Sequence, residues 1–68
     1  MDIIKAMNWL YSHVGEYLIS DSCGIAILLL PKCGNEIYIR ESSSNDPAWY
    51  VRSLVVPEIL AKDWRVAP

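Results

Sequence analysis

The chain has one histidine, His13, and only two cysteines, Cys23 and Cys33. A tetrahedral zinc site gathers four ligands, usually from closely spaced Cys and His pairs. One histidine and two widely separated cysteines do not build one, so no metal is expected. Gly15, Gly24 and Gly34 stand singly, which excludes a phosphate-cradling or dinucleotide-binding loop. Six Lys and Arg face eight Asp and Glu, for a net charge of −2. Without a basic stripe, sequence-independent binding to nucleic acid lacks its electrostatic basis. The apolar run Ile25-Ala26-Ile27-Leu28-Leu29-Leu30 falls far short of the ~20 residues that span a bilayer. A basic segment leading into an apolar stretch and a cleavage site is also missing, so a secretory signal is not expected. The reading is a soluble protein with its cysteines held as thiols.

Catalytic constellations are equally scarce. A nucleophilic cysteine needs a nearby cation or helix N-terminus. Cys33 has only Lys32 beside it, and Cys23 has no basic neighbour in sequence. His13 falls near the end of a helix, where the dipole favours a protonated imidazole, and no nucleophile is adjacent. Glu58 and Asp63 read as ordinary helix-end carboxylates. Neither an enzyme nor a cofactor is expected.

Apolar surface, by contrast, is abundant. Hydrophobic residues make up 53% of the 68, including three Trp and four Tyr, against 21% charged. A chain this short buries only about 60% of its unfolded surface. The excess predicts a homo-oligomer, with apolar area hidden between subunits.

Periodicity predicts a single α+β domain over residues 1–68. Asp2 caps a helix whose apolar positions Ile3, Met7, Leu10 and Val14 recur at helical steps, with Ile4 and Tyr11 widening the stripe. Gly15 closes it. Glu16-Tyr17-Leu18-Ile19 reads as a strand ended by the turn residues 20–24. Residues 25–30, apolar on both faces, suit a central strand covered by the helix on one side and a second subunit on the other. After a turn at residues 31–35, Glu36-Ile37-Tyr38-Ile39-Arg40 returns as a hairpin, with Ile37 and Ile39 on one face and Tyr38 and Arg40 on the other. Residues 41–47 read as a mobile polar loop and residues 48–56 as strand-like. Pro57 opens a short helix at its first position, and Trp64-Arg65-Val66 adds a last strand. Trp64 is expected to pack on the sheet, and Asp63 to be exposed or locally hydrogen-bonded.

The aromatic residues are the best candidates for chemistry. Planar ligands stack on Trp and Tyr, and phosphates pair with Arg. Tyr38, Arg40, Trp49 and Tyr50 would provide such a ligand-binding set at a subunit interface. The competing reading is that Trp49 and Tyr50 fill an oligomer interface while Arg40 is solvated.

The tail Glu58-Ile59-Leu60-Ala61-Lys62-Asp63-Trp64-Arg65-Val66 resembles the end of a family of very small phage proteins, the second Thoeris anti-defence group. Those chains finish with an acidic residue, two aliphatics, Ala, any residue, Asp-Trp and a β-former. The opening, Asp2-Ile3-Ile4-Lys5-Ala6-Met7 running on to Gly15-Glu16-Tyr17-Leu18-Ile19, is also similar. The resemblance implies a compact α+β homo-oligomer in the cytoplasm of an infected bacterium. It would sequester a cyclic ADP-ribose-type or cyclic nucleotide immune signal without catalysis. It carries over no binding residue, because the Arg and Trp usual after the first strand are replaced by Ser20-Asp21-Ser22-Cys23. The alternative is a protein-binding inhibitor of a host defence or nuclease complex.

Overall fold

A computed structural model describes residues 1–30, 36–42 and 48–67. It contains α1 (Ile3–Ser12), β1 (Tyr17–Ser20), β2 (Ile25–Leu30), β3 (Glu36–Glu41), β4 (Tyr50–Val51), α2 (Val56–Leu60) and β5 (Trp64–Val66). The strands form one antiparallel sheet in the order β4-β3-β2-β1-β5. This is the α+β arrangement expected, with an N-terminal helix on an antiparallel sheet and a short C-terminal helix. The expected turn at 31–35, with Cys33 and Gly34, lies outside the described residues, as does the 43–47 part of the polar loop.

Asp2 caps α1 by accepting the Lys5 N–H at 2.9 Å, satisfying one of the donors that a helix start leaves orphaned. His13 is the C-terminal cap residue. Its Nδ1 donates to the Trp9 carbonyl at 2.7 Å, and its ring stacks on Trp9 at 4.0 Å. The buried face of α1 is narrower than the stripe predicted from sequence. Ala6 and Leu10 are buried and Ile3 and Met7 pack at the margin, while Ile4, Tyr11 and Val14 are exposed. The helix meets one face of a five-stranded sheet, so residues a quarter-turn off that line find nothing to pack against.

Side-chain alternation divides the sheet into two faces. Leu18, Ser20, Ile25, Ile27, Leu29, Ile39 and Trp64 are buried on the face that α1 covers. The 18–27–39 row fixes the register across three strands. On the open face, Tyr17, Leu28 and Tyr38 form one row, and Ile19, Ala26 and Arg40 the next. Gly24, at φ +68°, turns the chain between β1 and β2, a backbone region that disfavours any residue with a Cβ.

Only Tyr50 and Val51 of the predicted 48–56 strand pair with the sheet; residues 52–55 are irregular. Arg52 and Glu58 explain the departure. Arg52 donates from Nη1 and Nη2 to the two Glu58 carboxylate oxygens, each at 2.8 Å, and Glu58 is 5% exposed. Glu58 also accepts the Val55 N–H at 2.9 Å. It therefore draws the chain off the sheet edge and caps α2, whose preceding valine has no side-chain acceptor. α2 begins at Val56, one residue ahead of the expected start, so Pro57 takes the second position, still among the N–H groups that a helix leaves unpaired.

Asp63 is not a local acceptor. It receives the Ser20 hydroxyl at 2.6 Å and the Ser22 N–H at 2.8 Å, across some forty positions of sequence. These bonds join the β1–β2 turn to the entry of β5, and Trp64 follows into the core at 1% exposure. Met1 and Trp64 exchange two further backbone hydrogen bonds on the other edge of β5. Among the described residues, no helix is long and apolar enough to cross a membrane.

Candidate functional site

The open face of the sheet brings together three of the polar and aromatic groups. The β3–β4 register pairs Ile39 with Tyr50 and Tyr38 with Val51. One step further in the same register, Trp49 falls opposite Arg40. The Arg40 guanidinium carbon lies 4.5 Å from the centroid of the Trp49 ring and 5.3 Å from that of Tyr17. The two rings meet edge to face, with centroids 5.4 Å apart and planes at 64°. A cation within about 6 Å of an aromatic face is held by the ring quadrupole, at about 0.5–1 kcal/mol when exposed and more when desolvated.

Ala26 makes this possible. It lies between Arg40 and Ile19 on the central strand, is 1% exposed, and presents a single methyl group. A larger side chain there would stand between β1 and β3. With alanine, the long Arg40 side chain reaches across β2 toward Tyr17. Ala26 is thus buried within the single chain.

Tyr38 shares the face, in the row of Leu28 and Tyr17, and is half-buried. Tyr50 is not brought to the cluster. Alternation turns it to the opposite face, across from Ile39. Tyr17, which sequence reading assigned only to a strand, is the third member of the cluster. Its signal was present in the pattern: two hairpins in register place Tyr17 and Tyr38 in one row on either side of Leu28.

Beside Tyr17 lies a recess of about 300 Å³ lined by Gly15, Glu16, Tyr17, Val66 and Ala67. It opens where β1 begins and β5 ends, so Tyr17 borders both the recess and the arginine–aromatic cluster.

Several ionised groups away from this face have structural partners. The Arg52 guanidinium holds the Glu58 carboxyl below its ordinary range. The Ser20 hydroxyl, seconded by the Ser22 N–H, draws Asp63 down to about 2. Arg65 bridges Asp21 at 2.8 Å on the exposed β5 edge and holds that carboxyl low as well. Cys23 is half-buried, with its thiol directed to the Pro57 carbonyl at 3.8 Å. No group of three or more metal-ligating side chains converges among the described residues. Comparison with known protein families, curated proteins and solved structures finds no match to this chain.

Proposed function

We propose that this protein binds a small nucleotide, of the cyclic ADP-ribose or cyclic oligonucleotide type, and withholds it from its receptor without transforming it. The setting would be phage counter-defence in the cytoplasm of an infected bacterium. The observation that carries the reading is the Arg40 guanidinium stacked against Trp49 and Tyr17 on the open face. An indole and a phenol offer faces and edges for a planar base, and a guanidinium pairs with a phosphate in a two-pronged geometry. Tyr38 extends the same face. The similarity of the Glu58 to Val66 tail and of the opening helix to the second Thoeris anti-defence group supports the same class of ligand. Sequestration needs only affinity, which suits a chain with no nucleophile–base pair among its described residues. Association into a homo-oligomer belongs to the proposal.

The test is to co-express the protein with a signal-producing immune enzyme, purify it, denature it and identify released small molecules by mass spectrometry. A stoichiometric nucleotide is expected. Release of none, from protein purified fully folded, removes the reading.

A second reading, a protein-binding inhibitor of a host defence or nuclease complex, is favoured by one observation. Val55, Val56, Ile59 and Leu60 expose their side chains along α2 and the residue before it. A stoichiometric protein partner captured in place of a nucleotide would favour it.

A further inference from the structure

We infer that the recess beside Tyr17 is a sugar subsite, in which the Glu16 carboxylate accepts hydrogen bonds from the vicinal hydroxyls of a ribose. This inference rests on the nucleotide-binding reading and specifies which part of the ligand selects for it.

Glu16 is exposed at the rim, and its carboxylate accepts no hydrogen bond from any described residue. Two nearby backbone donors are already used: the Glu16 N–H goes to the His13 carbonyl at 3.1 Å and the Ala67 N–H to the Tyr17 carbonyl at 3.3 Å. The recess therefore offers a free acceptor, a phenol ring and the apolar Val66 and Ala67. Gly15, at φ +91°, has no side chain to narrow the entrance, with nothing within 4 Å of where a Cβ would stand.

Charge decides what kind of group fits. An anion would be repelled by Glu16. A cation would compete with Arg40, whose guanidinium already faces the Tyr17 ring at 5.3 Å. A neutral group rich in O–H donors satisfies both constraints. Vicinal hydroxyls are such a group, and a carboxylate receiving a ribose diol is a recurrent arrangement in nucleotide sites. Size agrees, since 300 Å³ is at the small end of ligand cavities, about 300–1,000 Å³. It suits one sugar or nucleoside, leaving the phosphate to Arg40 on the far side of Tyr17.

The experiment uses the full chain and three probes: cyclic ADP-ribose, adenosine 5′-monophosphate and 2′,3′-dideoxyadenosine 5′-monophosphate. Affinities are measured by calorimetry for wild type and Glu16→Ala, and the site is located from backbone amide shifts. Glu16 is exposed, and matched thermal melts of the two proteins verify that the variant folds. Adenosine monophosphate is expected to bind at least about tenfold more tightly than the dideoxy analogue. That gap should close in Glu16→Ala, and the shifts should centre on Gly15, Tyr17 and Ala67. Equal binding of the pair, a gap that persists in Glu16→Ala, or shifts confined elsewhere overturns the subsite and leaves the broader reading intact. So does binding of cyclic ADP-ribose without adenosine monophosphate, since the recess is sized for one nucleoside. Failure of all three probes overturns the subsite and the cyclic ADP-ribose form of the broader reading. Cyclic di- and trinucleotides, titrated in parallel, decide its other form, and failure of those as well overturns both.

Discussion

Arg52 and Glu58 are the pair of charges on which the end of the chain most depends. Glu58 is buried and engages both guanidinium nitrogens as well as the Val55 N–H. Removing one partner of a buried pair strands the other, a loss of about 3–5 kcal/mol in well-buried cases. The Arg52 side chain is 31% exposed, so water can partly solvate it. Glu58→Ala should therefore lower stability by about 2–3 kcal/mol in urea unfolding; a change below about 1 kcal/mol would mean the bridge is incidental. Asp63 makes a second residue-scale prediction, in acid. Its folded value, about 2, lies below its ordinary 3.8 because the Ser20 hydroxyl and the Ser22 N–H stabilise the carboxylate. A depressed folded value contributes stability above the ordinary value, and that contribution is lost as pH falls toward the folded one. The midpoint of thermal unfolding should drop between about pH 4 and pH 2, with Glu58, also held low, adding to the slope. Asp63→Asn should flatten that acid limb; an unchanged slope would assign the acid sensitivity to other groups.

At the scale of elements, the central strand determines whether the open face can organise itself. Ala26→Leu puts three extra carbons between Arg40 and Ile19. Overpacking of this kind destabilises by about 1–3 kcal/mol. The variant should also separate Arg40 from Tyr17, seen as altered Trp49 fluorescence and weaker nucleotide binding. Retention of wild-type emission and affinity would show that the alanine is not what permits the cluster. The strands themselves were legible in sequence because β3 alternates, β2 is an unbroken apolar run of strand length, and Gly24 marks a turn. The face shared by Tyr38 and Arg40 follows from that alternation alone. Tyr50 was misplaced with Trp49 because adjacent residues in a strand point to opposite faces, a rule the uneven 48–56 pattern obscured. Glu58 and Asp63 looked ordinary because their partners, Arg52, Ser20 and Ser22, are set by tertiary approach rather than by local spacing. The tail, read first as a helix and a strand, is in the fold a latch: Glu58 anchors one end and Asp63 the other.

For the whole molecule, the balance between buried and exposed apolar surface matters most. Ile4, Tyr11, Val55, Val56, Ile59 and Leu60 are all more than 40% exposed. Large exposed apolar patches are a feature of interaction surfaces, and these residues are where the proposed self-association would bury area. Sedimentation should report a species heavier than one chain at micromolar concentration, and Leu60→Glu should shift it toward monomer. A wild-type protein that sediments as a monomer throughout would instead leave the apolar residues to another partner. The central claim concerns the opposite side of the molecule, where Arg40, Trp49 and Tyr17 meet. Its most direct test is calorimetric titration of wild type and Arg40→Ala with cyclic ADP-ribose isomers and cyclic di- and trinucleotides. The expected result is saturable heat with at least one of them, weakened about tenfold or more by Arg40→Ala. No heat from any ligand at micromolar protein, or binding indifferent to Arg40, would contradict it.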